Sequence, residues 1–564
     1  MEAPVSLNDA EKRELVIKRL CRFFVIIYAV QGLSQSGISG LFSLPVSLML
    51  KNRMHFDQAQ LAYFAGLVMI PWAIKPLYGL LSDFVPIFGW RRRSWFVVAA
   101  GLVMFSALYL ANFCNFAYGQ LLFFLAATAL GIAFCDVLCD AVMVENGKRF
   151  DLVHKFQGIQ WKALYVASIF SGIGGGLIAK YFNYSQTFWL MASLPLIIFL
   201  AAIFFVPEKR YQYQETAGES EMKSLVAKKD VAVAVGAFFA AALFLFWLNA
   251  QYLGMEVLKF IMMVVPFLIL GSLTYLFKSS INKKVIFCMI FLFWWDWALF
   301  LSSAPFLYYQ LDTLGFSEIF LGTLATLFSI GAAFGSCLFA AIAKKKLVWG
   351  KRVLVDLSLD SMLFYALIIG IATISTNFLL IGVKSAIALN LGTGLVFLLA
   401  NLTILVIAAK FCPPRIEGTF FALLMSVVNL GSSMSALASG FLYKTFYNLA
   451  PVSFADNFWA RFLVWLGWPT QHAQTGVKFD IFAQYYAIGW LTIISLCVFS
   501  LYFVALPYFS KMIKEDKELE KLDVHPAAIM ERINEKVPDI INAIMFYTFG
   551  WLILWFYSRS RRKK

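Results

Sequence analysis

The sequence predicts an all-α membrane protein: two six-helix halves, two extra central helices and a C-terminal hydrophobic helix. Three observations predict it. The 564-residue chain is 61% apolar and 14% charged, with a mean hydropathy of +0.76. A soluble domain carries about 25% charged and about 45–50% apolar residues, and its interior is too small to hide a larger excess, so lipid has to cover much of this chain. Second, apolar runs of about 20 residues, the length a bilayer-spanning helix needs, recur along it. Third, the Lys and Arg residues behind the net charge of +15 gather in short clusters between alternate runs, as positive-inside topology produces. Together these exclude a soluble enzyme, a nucleic-acid binder, a disordered scaffold and a disulfide domain.

The first half, residues 1–206, holds spans near 21–50, 58–82, 94–116, 119–145, 157–181 and 185–206. Its start carries Glu2, Asp9, Glu11 and Glu14, unlike a secretory signal or a transit peptide. Residues 207–284 form a polar linker, 207–230, followed by two spans at 231–249 and 258–277. The second half, 285–505, holds spans near 285–308, 318–343, 353–374, 389–410, 417–445 and 481–505. Residues 506–564 are a charged stretch and an apolar run at 541–557. That run is at the short end for a span and ends in Arg561-Arg562-Lys563-Lys564, which favours an interfacial or re-entrant helix. With a cytoplasmic N-terminus, the clusters at Arg91–Arg93, Lys148–Lys162 and Lys344–Arg352 all fall inside.

Cysteine and histidine point to no cofactor and no metal. Most of the eight cysteines lie in apolar runs, where a thiol packs as a small hydrophobe. Cys135 and Cys139, one turn apart, read as ordinary burial. His55, His154, His472 and His525 lie near loops or span ends. No phosphate-binding glycine loop or nucleophile motif is present, so the chain is not expected to be an enzyme.

The halves echo each other. Asp57 and Ser317 each precede a span as good N-caps. Val144-Glu145-Asn146-Gly147-Lys148-Arg149 leads into the Gly/Ser-rich 171–176, and Cys412-Pro413-Pro414-Arg415-Ile416-Glu417-Gly418 leads into Asn429-Leu430-Gly431-Ser432-Ser433. A six-plus-six repeat is how many carriers are built, with the solute held near midplane.

Three groups of residues carry chemistry. In Pro71-Trp72-Ala73-Ile74-Lys75-Pro76-Leu77-Tyr78-Gly79-Leu80-Leu81-Ser82-Asp83 and the following Arg91-Arg92-Arg93, Gly79 is expected to admit a neighbouring helix closely. Asp83 is placed to cap a helix or pair with arginine as a gate. Lys75, two turns inside its span, either snorkels or meets a carboxylate, and the flanking prolines should kink the backbone. Asp136 and Asp140, four apart on one helical face, should face an internal cavity rather than lipid. They suit proton carriage or cation binding, or else pair structurally with Lys75 or Lys162. Glu145 is expected to pair with the Arg91–Arg93 turn, with Arg415 and Glu417 in the matching gate of the second half. Gly172-xxx-Gly176 and Gly331-xxx-Gly335 are small-residue packing faces. Asp296, among Trp294, Trp295 and Trp297, suits either a stacked heterocycle or an interfacial aromatic belt.

The motif at 71–93 resembles the folate–biopterin transporter family, a branch of the major facilitator superfamily. So do Asp136-Val137-x-x-Asp140-Ala141-x-x-x-Glu145, Tyr308-Tyr309 with Leu314-Gly315-Phe316-Ser317 and Phe320-Leu321-Gly322, and Cys412-Pro413-x-x-x-Glu417-Gly418-Thr419-x-x-Ala422-Leu423-Leu424-Met425-Ser426 with Asn429-Leu430-Gly431. The paired spans at 231–277, the tail after 505 and Gly418 in place of alanine depart from the family pattern. The resemblance implies twelve core helices and proton-coupled uptake of folates, pteridines or a related metabolite such as S-adenosylmethionine. In the expected alternating-access cycle, Asp136 or Asp140 takes the proton and Lys75 or Lys162 docks the anion. Trp161 stacks on its ring, with Gln31 and Asn429 as hydrogen-bond partners. The expected partners are that solute, protons and the lipid of a plasma or bacterial inner membrane, with the chain a monomer. A carrier or exporter of another metabolite (nucleotide, amino acid or amphipathic compound) and a non-transporting receptor are the alternatives.

Overall fold

A computed structural model describes residues 9–34, 40–84, 87–90, 92–150, 152–206, 208, 264, 267, 283–301, 303–342, 346–349, 352–356, 359–410, 417–453, 457–473 and 475–514. The expected spans at 231–249 and 258–277 and the run at 541–557 lie outside the described residues, 264 and 267 excepted.

The first eight helices are α1 (Asp9–Ser34), α2 (Ser43–Met54), α3 (Gln58–Ala73), α4 (Lys75–Phe84), α5 (Arg93–Phe113), α6 (Tyr118–Phe150), α7 (Val153–Tyr181) and α8 (Tyr184–Phe205). Then come α9 (Lys283–Phe300), α10 (Ser303–Tyr308), a π-helical turn at Tyr309–Thr313, and α11 (Glu318–Ile342). A two-stranded antiparallel hairpin follows, β1 (Lys346–Trp349) and β2 (Arg352–Asp356). The chain continues through α12 (Leu359–Ser375), α13 (Val383–Lys410), α14 (Glu417–Asn448), α15 (Phe458–Trp465) and α16 (Phe479–Lys514). Eight of the described helices are long and apolar enough to cross a membrane. They carry exposed Phe105, Phe170, Trp189, Phe204, Phe441, Leu501 and Val504, side chains that lipid rather than water covers. The chain is an integral, multi-pass membrane protein.

Two expected spans are each broken in two. The run 21–50 becomes α1 and α2, because Gly40 and the turn before Ser43 interrupt the helix. The run 58–82 becomes α3 and α4, broken at Ile74. Pro76 has no N–H to return to the carbonyl of Trp72, and Leu77 N–H bonds Ile74 O instead at 3.1 Å. Both expected caps form. Asp57 accepts from Gln60 N–H at 2.7 Å while Gln60 Oε1 accepts from Asp57 N–H at 2.9 Å, a capping box. Ser317 Oγ accepts from Phe320 N–H at 3.3 Å. The hairpin, the π-helical turn and α15 depart from the all-span reading.

The described chain forms two compact units. One comprises 1–54, 67–167 and 181–276, the other 55–66, 168–180 and 277–564. In the first, Phe23, Phe24, Phe96 and Phe156 make a buried ring cluster, and α1 lies on α7 at Gly32, where a Cβ would be 2.3 Å from the carbonyl oxygen of Leu164. In the second, Phe291, Trp295, Phe499 and Tyr502 pack together, and Tyr309 stacks on Trp468 at 4.3 Å. The Gly331 and Gly335 face of α11 meets the backbone of α13, with a Cβ at Gly331 only 2.0 Å from Leu391 O. Helices in lipid gain no hydrophobic drive toward one another, so such close backbone packing carries much of their association.

Gly32→Leu should therefore cost about 3 kcal/mol or more through overpacking, seen as lost monodisperse protein and a lowered Tm in detergent. Gly392→Ala, where an added Cβ meets nothing within 4 Å, should leave Tm unchanged or higher.

Candidate functional site

In the first unit α4 and α6 are joined by charge. Lys75 Nζ donates to Asp136 Oδ2 at 2.7 Å, with both side chains nearly buried. The break at Ile74 puts Lys75 in the first turn of α4, and its ammonium lies 4.4 Å from the ring centroid of Trp72, adding a cation–π contact. Tyr78, fully buried, donates to Pro71 O at 2.9 Å and ties α4 back across the break. Lys75 thus meets a carboxylate rather than snorkelling, and Asp136 takes the structural partner the sequence offered it.

Asp140, one turn further along α6, is held differently. Tyr28 of α1, itself buried, donates its phenolic hydroxyl to Asp140 Oδ1 at 2.6 Å. Among the described residues Asp140 makes no ion pair. A hydroxyl both donates and accepts, so Tyr28 serves the carboxylate and the protonated acid alike. Tyr28 was not expected from the sequence; a tyrosine in an apolar run carries no mark of its partner.

Other expected residues of this unit lie on α7 and α1. On α7, Gln160 donates to Cys139 Sγ at 3.6 Å, and Trp161 stacks on Tyr165 at 5.9 Å. Lys162 is exposed and makes no ion pair among the described residues. Gln31 of α1 is buried, and its Nε2 has no hydrogen-bond partner among them. Asp296 and Asn429 belong to the second unit. Asp296 is only 9% exposed and follows fully buried Trp295 on α9, whereas Trp294 is 41% exposed.

A second polar cluster of the first unit gathers on Arg92, which is nearly buried. Its guanidinium donates to Ser82 Oγ and, at 2.6 Å, to Glu145 Oε1, joining α4 and α6. Glu208 accepts from the N–H groups of Arg92 and Arg93 at 2.9 to 3.2 Å. Its carboxylate thereby covers the open donors and the positive dipole end at the start of α5. Arg93 stacks over Trp90 at 4.7 Å and donates to Val206 O at 3.2 Å. Ser82 and Glu208 were not expected; the first lacks charge and the second sits in a linker more than a hundred residues away. Gly79 is not the close approach the motif suggested: a Cβ there would meet only Val137 Cγ1 at an ordinary 3.7 Å. Arg91 and Arg415 lie outside the described residues, as do the side chains of Asp83 and Glu417.

The helices that carry the buried Lys75–Asp136 pair have a major-facilitator-type fold. Solved transporters share that fold. A POT family transporter in complex with 5-aminolevulinic acid matches with a TM-score of 0.59 at 13% identity, over 88% of this chain and 96% of that one. A nucleoside transporter matches at 0.53 and 12%, over 86% and 99%. The BT1 family model matches residues 36–514, and the chain belongs to the BT1 family. The Folate-biopterin transporter of Synechocystis sp. is 28% identical over 426 residues, 72% of each chain. Folate transporter 2 of Plasmodium falciparum is 23% identical over 438 residues, 74% of this chain and 80% of that one.

Lys75→Met should lower stability by about 3 kcal/mol, because it leaves Asp136 buried and uncompensated. Adding Asp136→Leu should recover most of that loss. Thermal melts of the three proteins in one detergent measure it, and additive losses in the double variant would mean the pair is not coupled.

Proposed function

We propose that the chain carries a folate- or pterin-type solute across the membrane by alternating access, coupled to protons at Asp140. The names of its relatives support the substrate class. The observation that carries the mechanism is the contrast between two carboxylates one turn apart. Lys75 matches the charge of Asp136, whereas Asp140 has a hydroxyl. Removing an unmatched charge from an apolar interior relieves a large desolvation cost. Proton binding at Asp140 therefore shifts which conformation is favoured, in proportion to its different surroundings in the two.

Because Asp136 occupies Lys75, the anion-docking role falls to Lys162, with Trp161 and Tyr165 beside it as a stacking face for a flat heterocycle. Gln31 offers a buried amide donor. The Arg92–Glu145–Ser82 cluster, with Glu208, is the gate in this reading, and Asp83, Arg91, Arg415 and Glu417 belong to the same gating set. Two six-helix halves, a cytoplasmic N-terminus and a monomeric carrier complete it.

Asp140→Asn should fold, since asparagine still accepts from Tyr28, but a pH gradient should no longer drive accumulation of labelled folate or biopterin in proteoliposomes. Counterflow at equal pH should persist. Undiminished gradient-driven uptake by Asp140→Asn would overturn the assignment.

A further inference from the structure

Thr326 of α11 is buried, and its hydroxyl reaches into the backbone of α7. Ile173 N–H donates to Thr326 Oγ1 at 2.9 Å, and the same hydroxyl donates to the carbonyl of Ile169 at 2.8 Å. Residues 169 and 173 are the acceptor and donor that an unbroken α-helix joins directly. A side chain of one helix thus bridges two groups of the other's own ladder. Gly172 admits it, since a Cβ there would lie 2.5 Å from Thr326 Oγ1 and 2.4 Å from Thr326 N. The seam continues at Gly176, where a Cβ would be 2.7 Å from Glu318 O. The insertion falls just past Ala167, where α7 leaves the first compact unit.

We propose that Thr326 is a releasable latch between α7 and α11, one that can open in lipid without stranding a polar group. When the helices part, Ile173 N–H and Ile169 C=O have each other as partners within the continuous helix α7. The freed hydroxyl turns to the carbonyl four residues back on its own helix, Gly322. Neighbouring hydroxyls of α11 already bond this way: Thr323 to Ile319 O and Ser329 to Ala325 O. Every group is satisfied in both states, which an apolar surround demands. An ion pair in the same place would leave two bare charges on opening. The latch rests on the transport reading only in requiring that α7 and α11 separate.

The test places spin labels at Leu177→Cys and Ser317→Cys in the full-length chain, without other reactive cysteines, in lipid nanodiscs. Distance distributions are read without substrate. Thr326→Val removes the hydroxyl at nearly constant shape and should raise the long-distance population roughly threefold, the usual weight of an interhelical polar contact in a membrane. Thr326→Ser should keep the parent distribution. Gly172→Ala, which denies the hydroxyl its approach, should shift it as Thr326→Val does. Thr326→Ala replaces the valine variant if that one does not fold. An unchanged distribution in the hydroxyl-less variant, or a serine variant that shifts as far as valine, would overturn the latch. A protein that moved no folate would leave this result standing, so the two readings fail separately.

Discussion

A charge inside hydrocarbon has to meet its opposite or be neutralised, and the first unit is arranged around that constraint. Lys75 enters where Pro71 and Pro76 break the helix, so its ammonium reaches Asp136 at 2.7 Å and lies over Trp72 at 4.4 Å. The pair fastens α4 to α6 beside the stacked rings of Tyr78 and Phe134. One turn along α6, Asp140 has a tyrosine hydroxyl in place of a cation. Two carboxylates on one face are thereby set apart by their partners, an ammonium for Asp136 and a phenol for Asp140.

The second constraint is the absence of hydrophobic drive between helices in lipid. Association then depends on backbone approach, and the glycine faces of α7, α11 and α13 supply it. The seam of α7 and α11 combines such backbone contact with one inserted polar group, the hydroxyl of Thr326. The Arg92 cluster works differently. Glu145 is half exposed while Arg92 is nearly buried, and the backbone capping by Glu208 marks where α5 begins.

Much of the architecture was legible because length and apolarity are what lipid selects. The spans from 94 to 206 fall within a few residues of α5 to α8. The prolines around Lys75 announced the break at Ile74. The run 21–50 misled because apolar residues resume after the polar, glycine-containing 34–40, and α1 ends at Ser34 while α2 begins at Ser43. The hairpin, the π-helical turn and α15 leave no periodic trace. At the site, helical spacing put Asp136 and Asp140 on one face, and Lys75 was a visible partner by charge. Tyr28 was not, since a neutral partner 112 residues away has no signature. Gly79 shows the converse: a glycine in a motif does not say which face is covered.

The most direct measurement is infrared difference spectroscopy of the carboxyl stretch during a pH titration of the protein in lipid. The account predicts a titrating carboxylic-acid band that disappears in Asp140→Asn and persists in Asp136→Asn, with a frequency shift in Tyr28→Phe, which removes its hydrogen bond. A band that vanishes with Asp136→Asn and survives Asp140→Asn would contradict it.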